Sequence, residues 1–272
     1  MHDAERLISD LFTRFLERVK GSFAFSAAAV DENDAMVDEA GVAGEESGMS
    51  EAGEGSVVFD LDGTLVDTAP DLLAVADEML REMGAPPVPR APGRLAAGQG
   101  ARAMLTLGLE AGGKPLPPEE EWPALVEEFI RRYEARMTAL SRPFAGVPEL
   151  LSRLREKGMP LAVCTNKREA LARKLLRELG LAHHFAAIVG GDTCVEKKPH
   201  PAPLRLAAER AGAVGAVVML GDSHADMGAA RAAGALPMLA AWGYVEEPLA
   251  SYGAAHILRA PLDFMDWLAS TG

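Results

Sequence analysis

Apolar and polar positions along this chain follow two different rhythms. Residues 57–59, Val-Val-Phe, form a short β-branched and aromatic run that stops at Asp60, the pattern of a buried strand. From about residue 71 to 140 the apolar positions recur at helical spacing. Helices are predicted over 71–83, 101–110 and 119–137, separated by proline-rich stretches at 85–92 and 112–118, with no strand pattern among them. From residue 147 onward helix and strand patterns alternate: helices over 150–157, 169–179, 202–211, 225–233 and 262–269, and strands over 160–164, 185–189, 217–220, 236–240 and 256–258. Such alternation implies a parallel sheet with helices on both faces. The expected fold class is α/β: a Rossmann-like, three-layer α/β/α parallel-sheet core with an inserted α-helical cap domain after the first strand.

The first 54 residues read differently. Leu7, Ile8, Leu11, Phe12, Phe15, Leu16 and Val19 lie on one helical face, after Asp3 as a plausible N-cap and before Gly21 as a stop. That face is expected to dock on the body or pair with another copy. Residues 22–30 are apolar but too short to span a bilayer, and Asp3, Glu5, Asp10 and Glu17 before them are the wrong charge for a signal peptide. Residues 31–54 carry nine acidic side chains and no basic ones, so a solvated linker is expected. Met49 lies eleven residues before Asp60, and the expectation is that translation starts there. The predicted organisation is an extension over 1–54, a catalytic core over 55–69 and 141–272, and the cap over 70–140.

Composition narrows the function. With 272 residues, 49% of them hydrophobic, the chain can bury a substantial core. Of the net charge of −13, residues 1–54 account for most with 13 acidic and 4 basic side chains, which leaves −4 for the rest. No basic stripe exists for nucleic acid. No run reaches the ~20 apolar residues of a membrane span. The two cysteines, Cys164 and Cys194, cannot staple a chain of this size, and a cytoplasmic, reducing location fits them. A monomer or a homodimer is expected.

Ligands of an open parallel sheet gather beyond the carboxyl ends of its strands. Those ends carry Asp60 and Asp62, Thr165 and Asn166, Lys198, and Gly221 with Asp222. Asp60 and Asp62 are two apart, so an extended chain sends both carboxylates the same way, and Gly63 lets the backbone turn afterwards. Carboxylates this close need a shared cation or a retained proton. A hard divalent cation with oxygen ligands, Mg²⁺, is the natural choice. Thr165 and Asn166 offer hydroxyl and amide donors to phosphate oxygens, and Lys198 a compact positive charge for the transition state. The set predicts phosphoryl transfer on a small phosphorylated metabolite.

Four fragments in order, Asp60-Leu61-Asp62-Gly63-Thr64, Thr165, Lys198-Pro199, and Gly221-Asp222-Ser223 with Asp226, resemble the signatures of the haloacid dehalogenase superfamily. The runs 163–167 and 190–204, with GDSHAD and the late Trp242-Gly243-Tyr244, resemble its bacterial phosphoglycolate phosphatase family. That resemblance implies Asp60 as nucleophile, forming an aspartyl-phosphate, and Asp62 as general acid and base. It also implies Mg²⁺ held by the side chains of Asp60 and Asp222 and the backbone carbonyl of Asp62, with Asp226 one step removed. In this family the helical insertion closes over the site and reads the substrate; Gly100, at the start of the helix carrying Arg102, would offer free amides to a carboxylate, and Arg102 a charge. The glycines 98 and 100 do not form a dinucleotide fingerprint, since no strand precedes them and residue 103 is alanine. The implied activity is hydrolysis of 2-phosphoglycolate. A sugar-phosphate phosphatase, acting for instance on N-acetylmuramic acid 6-phosphate, a sugar phosphomutase and an idle interaction protein are the alternatives. Lys198 is preferred over Lys197 because the proline follows it. His183 and His184 are expected as capping or surface residues, His200 as structural, His224 at the rim of the metal site, and Trp242 and Tyr244 as loop packing.

Overall fold

The first strand in the chain lies at the centre of the sheet. In the computed structural model, which describes residues 55–213 and 215–270, β1 (Gly55–Phe59) is hydrogen-bonded on one side to β4 (Leu161–Cys164) and on the other to β6 (Ala216–Gly221). β5 (Ala187–Val189) extends the β4 side, while β7 (Leu236–Ala240) and β8 (His256–Leu258) extend the other, giving the order β5-β4-β1-β6-β7-β8. Every neighbouring pair is parallel. The strand order therefore reverses beside β1, and the crevice for a ligand opens at its carboxyl end. The helix expected over 7–19, the acidic stretch 31–54 and Met49 lie outside the described residues.

Both faces of the sheet are covered, because successive side chains of each strand point opposite ways. Val57 and Phe59, with Leu161, Val163, Val218 and Leu220 beside them, face one core, which holds α5 (Val147–Glu156) and α6 (Glu169–Glu178). Val58, Ala162, Cys164, Val217 and Met219 face the other, packed against α7 (Ala202–Arg210) and α8 (His224–Ala233). The strands are apolar on both faces and almost without alternation, as a sheet buried between helices requires. The α/β fold is the one the sequence pattern predicts.

Four helices fill the insertion: α1 (Ala69–Glu82), α2 (Arg90–Gln99), α3 (Ala101–Ala111) and α4 (Trp122–Glu134). Two of them depart from expectation. α2 starts inside the proline-rich 85–92 stretch and runs on to Gln99, because Pro92 falls within its first turn, where a missing N–H leaves no bond unmade. The helix expected over 119–137 is a 3₁₀ turn, Glu119–Glu121, followed by α4, since Pro123 fixes an α-helical start at its second residue. The last helix, α9 (Asp263–Ser270), closes the chain.

Where the chain leaves and rejoins the core, β2 (Val66–Asp67) pairs antiparallel with β3 (Arg142–Pro143). These strands are two residues long and carry no alternation that a sequence reading could detect. Next to them Asp71, fully buried in the first turn of α1, accepts hydrogen bonds from Leu140 N at 2.9 Å, Ser141 N at 2.7 Å and Ser141 Oγ at 2.8 Å. One carboxylate thus satisfies the backbone of the returning strand. Asp71→Ala leaves those donors buried and unpaired, and we expect a loss of about 3 kcal/mol in unfolding free energy from urea titration. A loss below about 0.5 kcal/mol, the range of ordinary surface substitutions, would remove this clamp.

Candidate active site

β1 ends at Phe59, and the next four residues turn through a tight loop. Asp60 N donates to Leu220 O at 2.9 Å, holding the first carboxylate beside β6, and Gly63 N donates to Val66 O at 2.9 Å, closing the turn. Gly63 has φ +86°, and a Cβ there would drive into Asp222 Oδ2. Only glycine lets the loop carrying Asp60 and Asp62 press against the loop carrying Asp222.

Asp60, Asp222 and Asp226 converge: one carboxylate oxygen from each lies within 4.8 Å of the others, and all three residues are buried. Lys198 is the cation among them. Its Nζ donates to Asp226 Oδ1 at 2.6 Å and Cys164 O at 2.7 Å, and lies 2.8 Å from Asp60 Oδ1. That last contact is ionic only, and Asp60 Oδ1 is buried without a hydrogen-bond partner. Burial opposes the charge on Lys198, but Asp226 and Asp60 outweigh it and hold its pKa above the ordinary lysine value. Burial, then the nearby Asp226 carboxylate, pushes Asp60 from 3.8 up to about 7, and burial with Asp60 and Asp226 raises Asp222 well above the usual range.

The charges state what the site can hold. When all three carboxylates are ionised, they and one ammonium leave two negative charges uncompensated, the complement of a divalent cation. Asp226 is not free to serve it: Oδ1 is taken by Lys198, and Oδ2 by Ser223 N at 2.9 Å and Ser223 Oγ at 2.6 Å in the capping box that opens α8. Asp222 accepts one bond on each oxygen, from Thr64 Oγ1 at 2.8 Å and Tyr244 N at 2.7 Å. Asp60 and Asp222 therefore keep lone pairs for a metal, and Asp226 holds the lysine.

Asp62 is apart from this cluster. Its Oδ1 accepts from Thr68 Oγ1 at 2.6 Å and Lys167 Nζ at 2.8 Å. The two aspartates of the first fragment do not share one cation; each has its own lysine. Lys167 is the residue that sequence reading missed: it follows Thr165 and Asn166 directly, yet only the fold turns it toward Asp62. Thr165 is buried, and its Oγ1 accepts from Lys167 N at 3.2 Å, which leaves its own proton for an acceptor.

Asn166 lines the cavity over the site and also braces the lysine loop. Its Oδ1 accepts from Lys198 N at 3.0 Å and its Nδ2 donates to Lys198 O at 3.1 Å, so the side chain clamps the Lys198 loop. Arg102 is also engaged elsewhere, forked onto Glu119 and stacked over the Trp122 ring at 4.7 Å from its centroid. Gly100 ends α2 and opens α3, with no side chain capping the first-turn amides.

A cavity of about 700 Å³ covers the site, lined by Asp60, Asp62, Thr165, Asn166, Lys198 and Asp222 from the core and by Gly100, Arg102 and Tyr133 from the insertion. Tyr244 lines it as well and does more than pack a loop. Its hydroxyl accepts from Thr68 N and Ala69 N, each at 2.8 Å, and donates to Asp67 Oδ1 at 2.9 Å, capping the start of α1. Trp242 Nε1 donates to Thr64 O at 3.0 Å. His224 stacks on Tyr252 at the cavity rim, with ring centroids 4.1 Å apart. His183 and His184 sit in a 3₁₀ turn before β5, and His200 Nδ1 accepts from Ala202 N at 3.3 Å.

Residues 57–240 match the sequence profile of haloacid dehalogenase-like hydrolases. The chain belongs to this family. It is 43% identical over 209 residues to the phosphoglycolate phosphatase of Caulobacter vibrioides, covering 76% of this chain and 88% of that protein. A second relative, the phosphoglycolate phosphatase of Xanthomonas campestris, is 44% identical over 193 residues, covering 70% and 84%. Among solved structures, one described as a predicted phosphoglycolate phosphatase from Haemophilus somnus superposes with a TM-score of 0.70 at 29% identity, over 78% of this chain and 96% of that one. These relatives set the chain in the bacterial phosphoglycolate phosphatase family, and it is a hydrolase. Among the described residues no helix is long and apolar enough to cross a membrane.

The raised Asp60 has a consequence with a definite sign. Between its ordinary 3.8 and about 7, folded chains of this hydrolase keep a proton that unfolded chains release, so stability falls as pH rises through that window. With chelator present, the melting temperature of the wild type should fall more steeply from about pH 5 to about pH 7.5 than that of Asp60→Asn. Parallel profiles would contradict the assignment.

Proposed function

We propose that this hydrolase is a Mg²⁺-dependent phosphomonoesterase that works through an aspartyl-phosphate on Asp60, with 2-phosphoglycolate as substrate. The observation that carries the reading is the buried Asp60–Lys198–Asp226 and Asp222 cluster, two charges short of neutral, at the floor of a cavity that Asp62 also lines. The substrate is supported by the names of the Caulobacter and Xanthomonas relatives. When bound by Asp60, Asp222 and the backbone carbonyl of Asp62, Mg²⁺ would supply the positive charge that lets a phosphate dianion approach these carboxylates.

The chain's own residues divide the remaining work. Asp60 attacks phosphorus and the bond to the ester oxygen breaks. Asp62 gives that oxygen its proton, then takes one from the water that cleaves the acyl-phosphate. Both contacts on Asp62 fall on Oδ1, so Oδ2 is the oxygen left to face the ester. Lys198 holds Asp60 in place and balances charge on the phosphoryl oxygens, and Thr165 Oγ1 donates to one of them. Asn166 acts through Lys198, as a positioning residue.

The helices α1 to α4 form the cap in this reading, residues 70–140, closing on the cavity over the core of 55–69 and 141–272. Gly100 presents its helix-start amides to the substrate, and Arg102 serves the cap through Glu119. Both cysteines are free, as a cytoplasmic protein's would be.

The test is initial-rate measurement over 2-phosphoglycolate, N-acetylmuramic acid 6-phosphate and glucose 1-phosphate, with Mg²⁺ and with chelator. Phosphate release should be fastest from 2-phosphoglycolate and vanish without the metal. Faster release from either sugar phosphate, or glucose 6-phosphate formed without free phosphate, would replace the substrate or the reaction. Asp60→Asn should abolish turnover, and Asp62→Asn should lose on the order of 10²–10⁴-fold in kcat. Near-wild-type activity in the first variant removes the nucleophile.

A further inference from the structure

Tyr133, in the last turn of α4, is a buried phenol with an unmet need. It is only 2% exposed, and among the described residues its Oη proton has no acceptor. Its ring lies under Lys167, whose Nζ is 4.6 Å from the ring centroid. A lysine ammonium only donates, so it cannot accept the phenol proton. Burial pushes the phenol up to about 12, so the proton stays on. A buried donor left without an acceptor costs about 1–3 kcal/mol. Tyr133 lines the cavity beside Asp62 and Lys167.

The position of that donor is informative. Lys167 donates one of its three N–H bonds to Asp62 Oδ1 at 2.8 Å and lies against Tyr133, which leaves donor capacity for a further partner. The proposed acid, Asp62, must lie against the ester oxygen of the substrate. In 2-phosphoglycolate the carboxylate carbon is two bonds beyond that oxygen, so the carboxylate falls next to whatever flanks Asp62. What flanks it is an ammonium with spare donors and a phenol without an acceptor.

We infer that Tyr133 is a specificity-determining residue, its hydroxyl donating to the substrate's carboxylate while Lys167 supplies the opposing charge. This rests on the phosphoglycolate reading above and adds the residues that would make it. A phosphomonoester whose leaving group ends in CH₂OH brings no charge to Lys167 and a weaker acceptor to Tyr133, and is discriminated against.

The experiment compares 2-phosphoglycolate with 2-hydroxyethyl phosphate, for the full-length wild type and Tyr133→Phe at saturating Mg²⁺. The wild type should prefer 2-phosphoglycolate. In the variant the ratio of the two kcat/KM values should fall about tenfold or more, the scale of one hydrogen bond to a charged group, through KM on the glycolate ester rather than kcat. Without ligand the variant should melt no lower than the wild type, because the lost hydroxyl had no acceptor. An unchanged ratio in a variant that still hydrolyses 2-hydroxyethyl phosphate overturns the role of Tyr133 and leaves the substrate reading standing. Equal loss on both esters, or a ligand-free melting temperature several degrees lower, makes the phenol structural and also overturns it. A wild type without preference for 2-phosphoglycolate overturns both readings.

Discussion

One ammonium, Lys198, sits where three chain segments would otherwise repel one another. It bonds the carbonyl that ends β4, the carboxylate in the first turn of α8 and, ionically, the carboxylate after β1. Without it, Asp60, Asp222 and Asp226 would be three buried like charges, an arrangement far costlier than leaving them in water. With it, two charges remain uncompensated, and that residue of charge is what makes the place a site. Its own loop is held in turn by Asn166, which grips Lys198 at both its backbone N–H and its carbonyl. At Gly221 a Cβ would collide with the Asp226 carboxylate, so the end of β6 is open to that side chain for want of one of its own.

The second constraint runs from this cluster to the helical insertion. Tyr244 donates its backbone N–H to Asp222 and uses its hydroxyl to cap α1, whose N-cap residue, Thr68, has given its own hydroxyl to Asp62. The first crossing into the insertion is therefore bonded to both halves of the site, the Asp222 loop and Asp62. The second crossing is held by Asp71, on the same helix. A displacement of α1 acts on Asp62 through Thr68 and on the Asp222 loop through Tyr244.

Much of this was legible in the chain. The alternation after residue 147 set the parallel sheet, and the strand-end residues Asp60, Thr165, Lys198 and Asp222 lie together because ligand-facing loops of such a sheet all emerge on one edge. Asp226, in the fourth fragment, joins them in the buried cluster. What sequence could not show was which donor each acceptor had already taken. Asn166 and Arg102 look like ligands for an anion in one dimension, and in three each has a partner inside the protein. Lys167 and Tyr133 look unremarked in one dimension, one after a strand and one within a helix, and in three they meet beside Asp62. The strands β2 and β3 were invisible because two residues carry no period.

Sequence by itself determined the layers, the strand ends and the types of side chain delivered to them, since those follow from local periodicity and from the one-sided chemistry of a parallel sheet. Tertiary structure decided the pairings: that Lys198 answers Asp60 and Asp226, that Lys167 answers Asp62, and that the Tyr133 hydroxyl proton meets no acceptor among the described residues. The reason is that a hydrogen bond or an ion pair is a matter of a few ångströms between segments far apart in sequence, and no periodicity encodes that distance.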